Sequence, residues 1–298
     1  MFGFKITKKW FKKSAFFARK TVLLGFLLLA FPIESNAEGT NSERLQPSIL
    51  NNTVALDFSN IFQGAVRYVQ IANISDEQEV AIGKQIQQQL LTQQYELYDN
   101  QKVQEYVSNI GQELLFSSEG TRDIPYSFQV VVSDAVNAFA TPGGFIYVTT
   151  GLLQEADNQA QLASVIAHEI AHIEEKHSIQ ALKQAAIAQG VAETAGVSTN
   201  TLAQIGYQLA IDLPRSREHE YEADKVGLEI LQQAGYPPIA FVNFLKQLQG
   251  GNQPEFLRTH PTNTNRIEAL AKEIESSQAT SSKGQDEASY RNMVSALL

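Results

Sequence analysis

The chain has 298 residues, 43% of them apolar and 18% charged, so it can bury a substantial core, and a disordered or collagen-like reading is excluded. It has no cysteine, which removes disulfide scaffolds, thiolate metal sites and thiol nucleophiles and leaves His, Asp and Glu to hold any metal. The formal charge is -9; without residues 1–37, which carry seven basic residues and one acidic residue, 16 basic and 31 acidic residues remain, a charge of -15 that disfavours nucleic acid and anionic lipid as partners.

In chain order, residues 1–20 are basic and aromatic, Thr21 to Phe31 form an eleven-residue uncharged run, and Ser35-Asn36-Ala37 supplies small residues. That order predicts a signal peptide over 1–37, cut before Glu38. An uncleaved anchor is the alternative, but the run is well short of the ~20 residues that span a bilayer. The chain is thus expected to be exported to the periplasm or cell envelope, with at most peripheral membrane association. Residues 38–60 read as a polar linker and 61–275 as the folded domain. Ser75-Asp76-Glu77-Gln78 is a capping box that opens a helix running to about Leu91. Asp99 is expected to cap the next helix, whose Val103, Val107, Ile110 and Leu114 share one face. Tyr126 to Val132 and Phe145 to Thr149 have strand character around the turn Thr141-Pro142-Gly143-Gly144. From Asp157 the pattern is helical, with stops at Gly235 before Pro237-Pro238 and at Gly250-Gly251. Residues 178–213, rich in Ala and Gln, are expected to cover a cleft as a lid, and 276–298 to form a mobile polar tail. The fold class is α+β, mainly helical, with a small β-sheet.

His168-Glu169-Ile170-Ala171-His172 matches the pattern H-E-x-x-H. At ~100° per residue the two histidines lie about 40° apart on one helix face, so both imidazoles can reach a single ion. Glu169, about 100° round, can stand beside that ion without binding it. Leu162, Ile166, Ile170 and Ile173 form an apolar stripe opposite Gln161, Ser164, His168, His172 and Glu175. One side of the helix is expected to pack on a core and the other to present the histidines to a cleft. Two surface histidines on an amphipathic helix would give the same stripe.

A second helix argues against that bland reading. Ser216 is placed to cap a helix from Arg217 to Gln233, on which Glu218, Glu222, Lys225, Glu229, Gln232 and Gln233 share a solvated side. Glu220 and Asp224 fall opposite, with Gly227, Leu228 and Leu231, where a carboxylate needs a cation or strong donors. The economical assignment makes His168, His172 and Glu220 the metal ligands and Asp224 the acceptor that orients a ligand histidine. Two imidazoles and one carboxylate favour a single zinc ion per chain with a fourth position for water. Glu169 is then placed to move that water's proton, and the reaction class is metal-assisted amide hydrolysis.

The run Asn137-Ala138-Phe139-Ala140-x-Pro142-Gly143-Gly144, then Val148-x-x-Gly151-Leu152-Leu153, His168-Glu169-x-x-His172 and Glu220-x-x-Ala223-Asp224 closely resembles the HtpX and BepA family of zinc metalloendopeptidases, gluzincins related to the CAAX prenyl proteases. The likeness covers about residues 70–275. It implies a mostly helical zincin-like domain with a small sheet beside the active-site helix, zinc on His168, His172 and Glu220, and Glu169 as catalytic base. HtpX-like members carry transmembrane helices and BepA-like members a helical-repeat domain, so this chain is expected to be a stand-alone exported member.

His177 does not complete a longer metzincin pattern; on a continued helix it would lie about 180° from His168, which gives it a structural role near the helix end. His219 points about 100° away from Glu220 and reads as a polar boundary residue. His260, in Arg258-Thr259-His260-Pro261, has a counterpart in the resemblance, a His-Pro segment followed by an Arg-Ile pair, here Arg266-Ile267. A gluzincin site needs a second group to stabilise the oxyanion, and His260 is the candidate for that catalytic role. Phe145, Ile146, Tyr147 and Val148 are expected to form an edge strand that pairs with extended substrate backbone, which selects unfolded or loosened polypeptides. The expected function is a zinc endopeptidase acting on such chains in envelope quality control. The alternative is a zinc-stabilised, non-cleaving polypeptide-binding protein, against which the retained Glu169 argues, and cell-wall peptide hydrolysis would use the same chemistry.

Overall fold

The computed structural model of the protein describes residues 73–188, 198–212, 214–250, 254–262, 264–277 and 281–295. The expected signal peptide and the linker over 38–60 lie outside them.

Helix α1 (Asp76–Gln93) opens as its capping box predicts: the Ser75 side chain accepts from the Gln78 N–H, and the Gln78 side chain accepts from the Ser75 N–H. It buries Ile82, Ile86 and Leu90. Helix α2 (Gln101–Ser117) is capped by Asn100, whose side chain accepts from the Val103 N–H, and not by Asp99 as expected. An amide oxygen caps as well as a carboxylate, and the register that buries Val103, Val107, Ile110 and Leu114 puts residue 100 at the cap.

Strands β1 (Ser127–Val131), β2 (Ala138–Thr141) and β3 (Phe145–Thr149) form a sheet in the order β1-β3-β2. β3 is parallel to β1 and antiparallel to β2, with Phe139 opposite Tyr147. In the β2–β3 turn Gly144 has φ +95°, and a Cβ there would lie 2.0 Å from the Pro125 carbonyl oxygen. The expectation for Phe145, Ile146, Tyr147 and Val148 is therefore corrected. They form the central strand, buried throughout, with both backbone edges already paired, so no substrate strand can add there. β1 and β2 are the border strands, and β1 has a further bridge between Val131 and Leu97.

Helix α3 (Thr150–Glu155) leads into α4 (Gln159–Glu174), which carries the H-E-x-x-H pattern. Every residue of α4 from Ala160 to Ile173 is buried. The amphipathic expectation is thus also corrected: the stripe of Leu162, Ile166, Ile170 and Ile173 is in the core, and the histidine side is enclosed as well. Small residues at Ala160, Ala163, Ala167 and Ala171 let neighbouring elements close on α4 from all round. Helices α5 (His177–Ala188) and α6 (Thr199–Asp212) fill the region expected as a lid. They pack Ile179, Leu182, Leu202 and Ile205 against Ile82, Ile86, Phe139 and Tyr147 in a second apolar cluster.

Helix α7 (Arg217–Gln233) starts at its predicted cap, Ser216, which accepts from the His219 N–H, and ends at Gly235, where φ is +78°. It runs along α4, and Gly227 permits the approach: a Cβ there would lie 3.1 Å from His168 Cα. Helices α8 (Ile239–Gln249), α9 (Glu255–Thr259), α10 (Thr264–Ser277) and α11 (Glu287–Val294) complete the described chain. α11 overturns the mobile tail expected over 276–298 for its described part. Tyr290 and Val294, one turn apart, are buried, and the Tyr290 hydroxyl donates to the Leu153 carbonyl. The Ala160 N–H donates to the Gly284 carbonyl, which seats the tail at the start of α4. Among the described residues no helix is long and apolar enough to cross a membrane.

Candidate metal centre

Helix α4 sets His168 and His172 one turn apart with their Nε2 atoms facing at 3.1 Å. From α7, Glu220 places Oε2 3.5 Å from His168 Nε2 and Oε1 3.3 Å from His172 Nε2. Tetrahedral bonds of about 2.0–2.1 Å give donor–donor edges of about 3.3–3.4 Å, and each of these spacings is close to that length, with a different Glu220 oxygen facing each histidine. All three side chains are 0% exposed, and neither Glu220 oxygen has a well-directed hydrogen bond. The donor set therefore fits a divalent cation. His260, from the turn after α9, brings a ligand atom within 4.8 Å of the other three.

The groups around this triangle fix its charge and orientation. Asp224 Oδ1 lies 3.2 Å from His168 Nδ1, as expected for an orienting acceptor. Arg266, buried on α10, grips Asp224 through Nε at 2.5 Å and Nη2 at 2.6 Å, and sets Nη1 2.7 Å from Glu220 Oε2. Burial pulls the His168 pKa down, but Asp224 and Glu220 more than offset it and raise it to about 9. A proton on His168 and a metal ion thus answer the same two carboxylates. His172, with burial and then Arg215 against its charge, is held well below the usual histidine value. Burial opposes ionisation of Glu220, but His260, His168 and His172 hold it well below the usual carboxylate range.

His177 does not sit opposite His168. Helix α4 ends at Glu174, Lys176 takes a left-handed conformation with φ 56°, and α5 starts at His177. Its Nδ1 is 2.8 Å from His172 Nδ1. The break is held from outside by Arg122, whose Nη1 donates to the Ile173 carbonyl while its guanidinium pairs with Glu79 at 2.6 Å and Asp76 at 2.7 Å. His219 stacks on His177 with ring centroids 4.3 Å apart.

Glu169 is fully buried and stands outside the donor triangle. Its Oε1 is 3.1 Å from His260 Nε2 and its Oε2 3.9 Å from Arg215 Nη2. Burial would raise its pKa, but His260 and, less strongly, Arg215 lower it, so the carboxylate is ionised. The His260 ring stacks on Phe256 and its Nδ1 lies 3.0 Å from Thr259 Oγ1. Arg215 was not picked out from the sequence: it precedes a helix cap, belongs to no periodic pattern, and gives no local signal. A cavity of about 460 Å³ opens beside these groups, lined by Phe139, Pro142, Ala181, Ala185, Leu209 and Pro214 with Arg215 and His260. A larger open groove of about 1090 Å³ between the end of α1 and β1 contains none of the donor residues.

The sequence pattern of peptidase family M48 matches residues 101–274. The beta-barrel assembly-enhancing protease of Yersinia pestis is 32% identical over 218 residues, 66% of this chain and 44% of that protein. Its namesake in Escherichia coli K12 is 28% identical over 181 residues, 55% of this chain and 37% of that protein. The mitochondrial metalloendopeptidase OMA1 of Schizosaccharomyces pombe is 30% identical over 173 residues, 55% of this chain and 51% of that protein. The matches with the two assembly-enhancing proteases span less than half the length of those relatives.

Proposed function

Because the chain belongs to peptidase family M48, we propose that it is a zinc-dependent endopeptidase that hydrolyses unfolded or misfolded polypeptides in the cell envelope. The observation that carries this reading is the convergence of His168, His172 and Glu220, whose donor atoms lie within 4.8 Å of one another, beside the buried carboxylate of Glu169, which takes no part in the cluster. A structural metal site has no use for Glu169; a hydrolytic one needs it.

Two imidazoles and a carboxylate favour zinc, which when bound supplies Lewis acidity at the scissile carbonyl and acidifies water. Glu169 accepts the proton of the attacking water and passes it to the departing amine nitrogen. Arg215 and His260, on the same side as Glu169, supply donors for the negative charge that develops on the carbonyl oxygen. Asp224 and Arg266 keep His168 and Glu220 turned toward the centre.

The apolar cavity supports the substrate class. It accepts an apolar side chain, and such side chains are buried in folded proteins and offered by loosened ones. The strand at the cavity is border strand β2, whose Phe139 and Ala140 line it; the strand is buried, and its Ala140 carbonyl accepts from Arg215 Nη2 at 3.1 Å and Ser178 Oγ at 3.3 Å, bonds that an added strand would replace. The signal-like pattern at 1–37 and the names of the assembly-enhancing relatives support a place in envelope quality control.

The test is metal analysis of the purified chain with digestion of casein and of a stably folded protein, with and without chelator. One zinc per chain, casein cleavage abolished by chelation and restored by zinc, and sparing of the folded protein are expected. Cleavage that survives metal removal would overturn the mechanism. Bound zinc with no cleavage of any polypeptide would leave the non-cleaving binding protein as the reading.

A further inference from the structure

The two ligand histidines are oriented by different devices. His168 has the conventional one, a buried carboxylate at its Nδ1. His172 has none: its Nδ1 meets a second imidazole, that of His177, at 2.8 Å, and His177 Nε2 in turn lies 3.2 Å from Glu222 Oε2. Glu222 belongs to the side of α7 that reads in the sequence as purely solvated, and its side chain is 49% exposed.

We propose that Glu222 and His177 form a relay that fixes the tautomer and ring orientation of His172, so that both are positioning residues for the metal centre; this rests on the metal reading above. The proton bookkeeping allows one arrangement that leaves His172 able to bind metal. A carboxylate only accepts, so the proton of neutral His177 sits on Nε2 and is donated to Glu222. His177 Nδ1 is then a lone pair and accepts from His172 Nδ1–H. The proton of neutral His172 is thereby held on Nδ1, and the lone pair of its Nε2 faces His168 and Glu220. The fold holds the relay in place: the break at Lys176 swings His177 back beside His172, and His219 stacks on its ring while its Nε2 lies 3.2 Å from Gln180 Oε1. The arrangement leaves one ligand's orientation dependent on a carboxylate at the protein surface.

The experiment measures zinc affinity by competition with a chromophoric chelator, the absorption of the cobalt-substituted protein, and thermal unfolding with the metal stripped. The proteins are wild type, His177→Phe, His177→Asn, Glu222→Ala and Glu222→Gln. Phe keeps ring volume but has no acceptor, and a loss of about 10–100-fold in zinc affinity with an altered cobalt spectrum is expected. Asn places Oδ1 where the imidazole has Nδ1, and Gln keeps an acceptor at 222, so both are expected to bind zinc close to wild type; Glu222→Ala falls between. Unfolding of the stripped proteins is expected to be nearly unchanged in the Glu222 variants. Wild-type affinity in His177→Phe would overturn the relay, as would equal losses in His177→Asn and His177→Phe. Tight zinc binding with no cleavage by wild type would sink the endopeptidase reading while the affinity series still judged the relay; no metal binding by wild type would refute both.

Discussion

Replacing Glu169 by Gln separates chemistry from metal binding. The side chain is 0% exposed and outside the donor triangle, and Gln matches it in volume, so His168, His172 and Glu220 should hold their ion as before. What changes is the ability to take a proton. General-base catalysis contributes about 10²–10⁴-fold, or about 3–5 kcal/mol of transition-state stabilisation, and cleavage of a fluorogenic peptide should fall by that factor at unchanged zinc content. Stability should fall slightly as well. His260 at 3.1 Å and Arg215 at 3.9 Å outweigh the burial of the carboxylate and hold it in its charged form, and a neutral amide gives up that pairing. A net loss of about 1 kcal/mol lowers Tm by roughly 2–4 °C in a chain of this size, which calorimetry resolves. A Gln variant that cleaves at more than about a tenth of the wild-type rate would refute the assignment of Glu169 as base. So would one that loses its zinc, because Glu169 would then belong to the ligand set.

The ion pair that caps the metal helix can be tested by urea denaturation. Arg122→Met strands the Glu79 carboxylate, 2% exposed, and should cost about 3–5 kcal/mol, much of it recovered in the Glu79→Leu/Arg122→Met double variant; a single-variant cost under about 1 kcal/mol would show the pair to be dispensable. Docking of the C-terminal segment predicts that Tyr290→Ala costs about 3–5 kcal/mol and Tyr290→Phe, which loses only the bond to the Leu153 carbonyl, about 1 kcal/mol. A neutral Tyr290→Ala would restore the mobile tail. Gly227→Val pushes a side chain into the backbone of His168, 3.1 Å from where a Cβ would sit, and should destabilise by about 1–3 kcal/mol while weakening zinc binding. Full zinc affinity in that variant would mean that the spacing of α4 and α7 does not set the ligand triangle.

The centre was legible where its chemistry follows from local periodicity. The spacing of His168 and His172 on a helix, and of Glu220 and Asp224 on the apolar side of another, needs only 3.6 residues per turn. What it does not contain is which element comes to rest beside which. Phe145-Ile146-Tyr147-Val148 reads as a strand from its residues, but its pairing is set by Ser127–Val131 and Ala138–Thr141. The unbroken apolar run is itself the mark of a strand covered on both faces, which argues against an edge position. His177 shows a different limit. The wheel places it opposite His168 only if α4 continues, and the helix stops on Lys176 in a left-handed conformation that Gly or Asn usually supplies. The partner that stabilises the break, Arg122, lies 51 residues from the Ile173 carbonyl it caps, beyond the reach of any local pattern.

Charge explains why the ligand helices need two arginines. Glu169, Glu220 and Asp224 bury three carboxylates in one small volume, and Arg215 and Arg266 stand against them, so these five side chains carry a formal -1, which the proton held on His168 brings to zero and a divalent ion in its place turns to +1. Neither extreme is large, which lets the site fold before the ion arrives and still attract it. The division of labour lies in the geometry of the guanidinium. Arg266 takes both oxygens of Asp224 in a fork, so that carboxylate cannot swing in as a competing ligand and is left to steer His168 through its remaining lone pair. Its third nitrogen lies 2.7 Å from Glu220 Oε2, while Glu220 Oε1 faces His172 at 3.3 Å. Two acids one turn apart on the same helix thereby stand differently, Glu220 with its oxygens toward both histidines and Asp224 behind His168, with a single arginine from α10 against both.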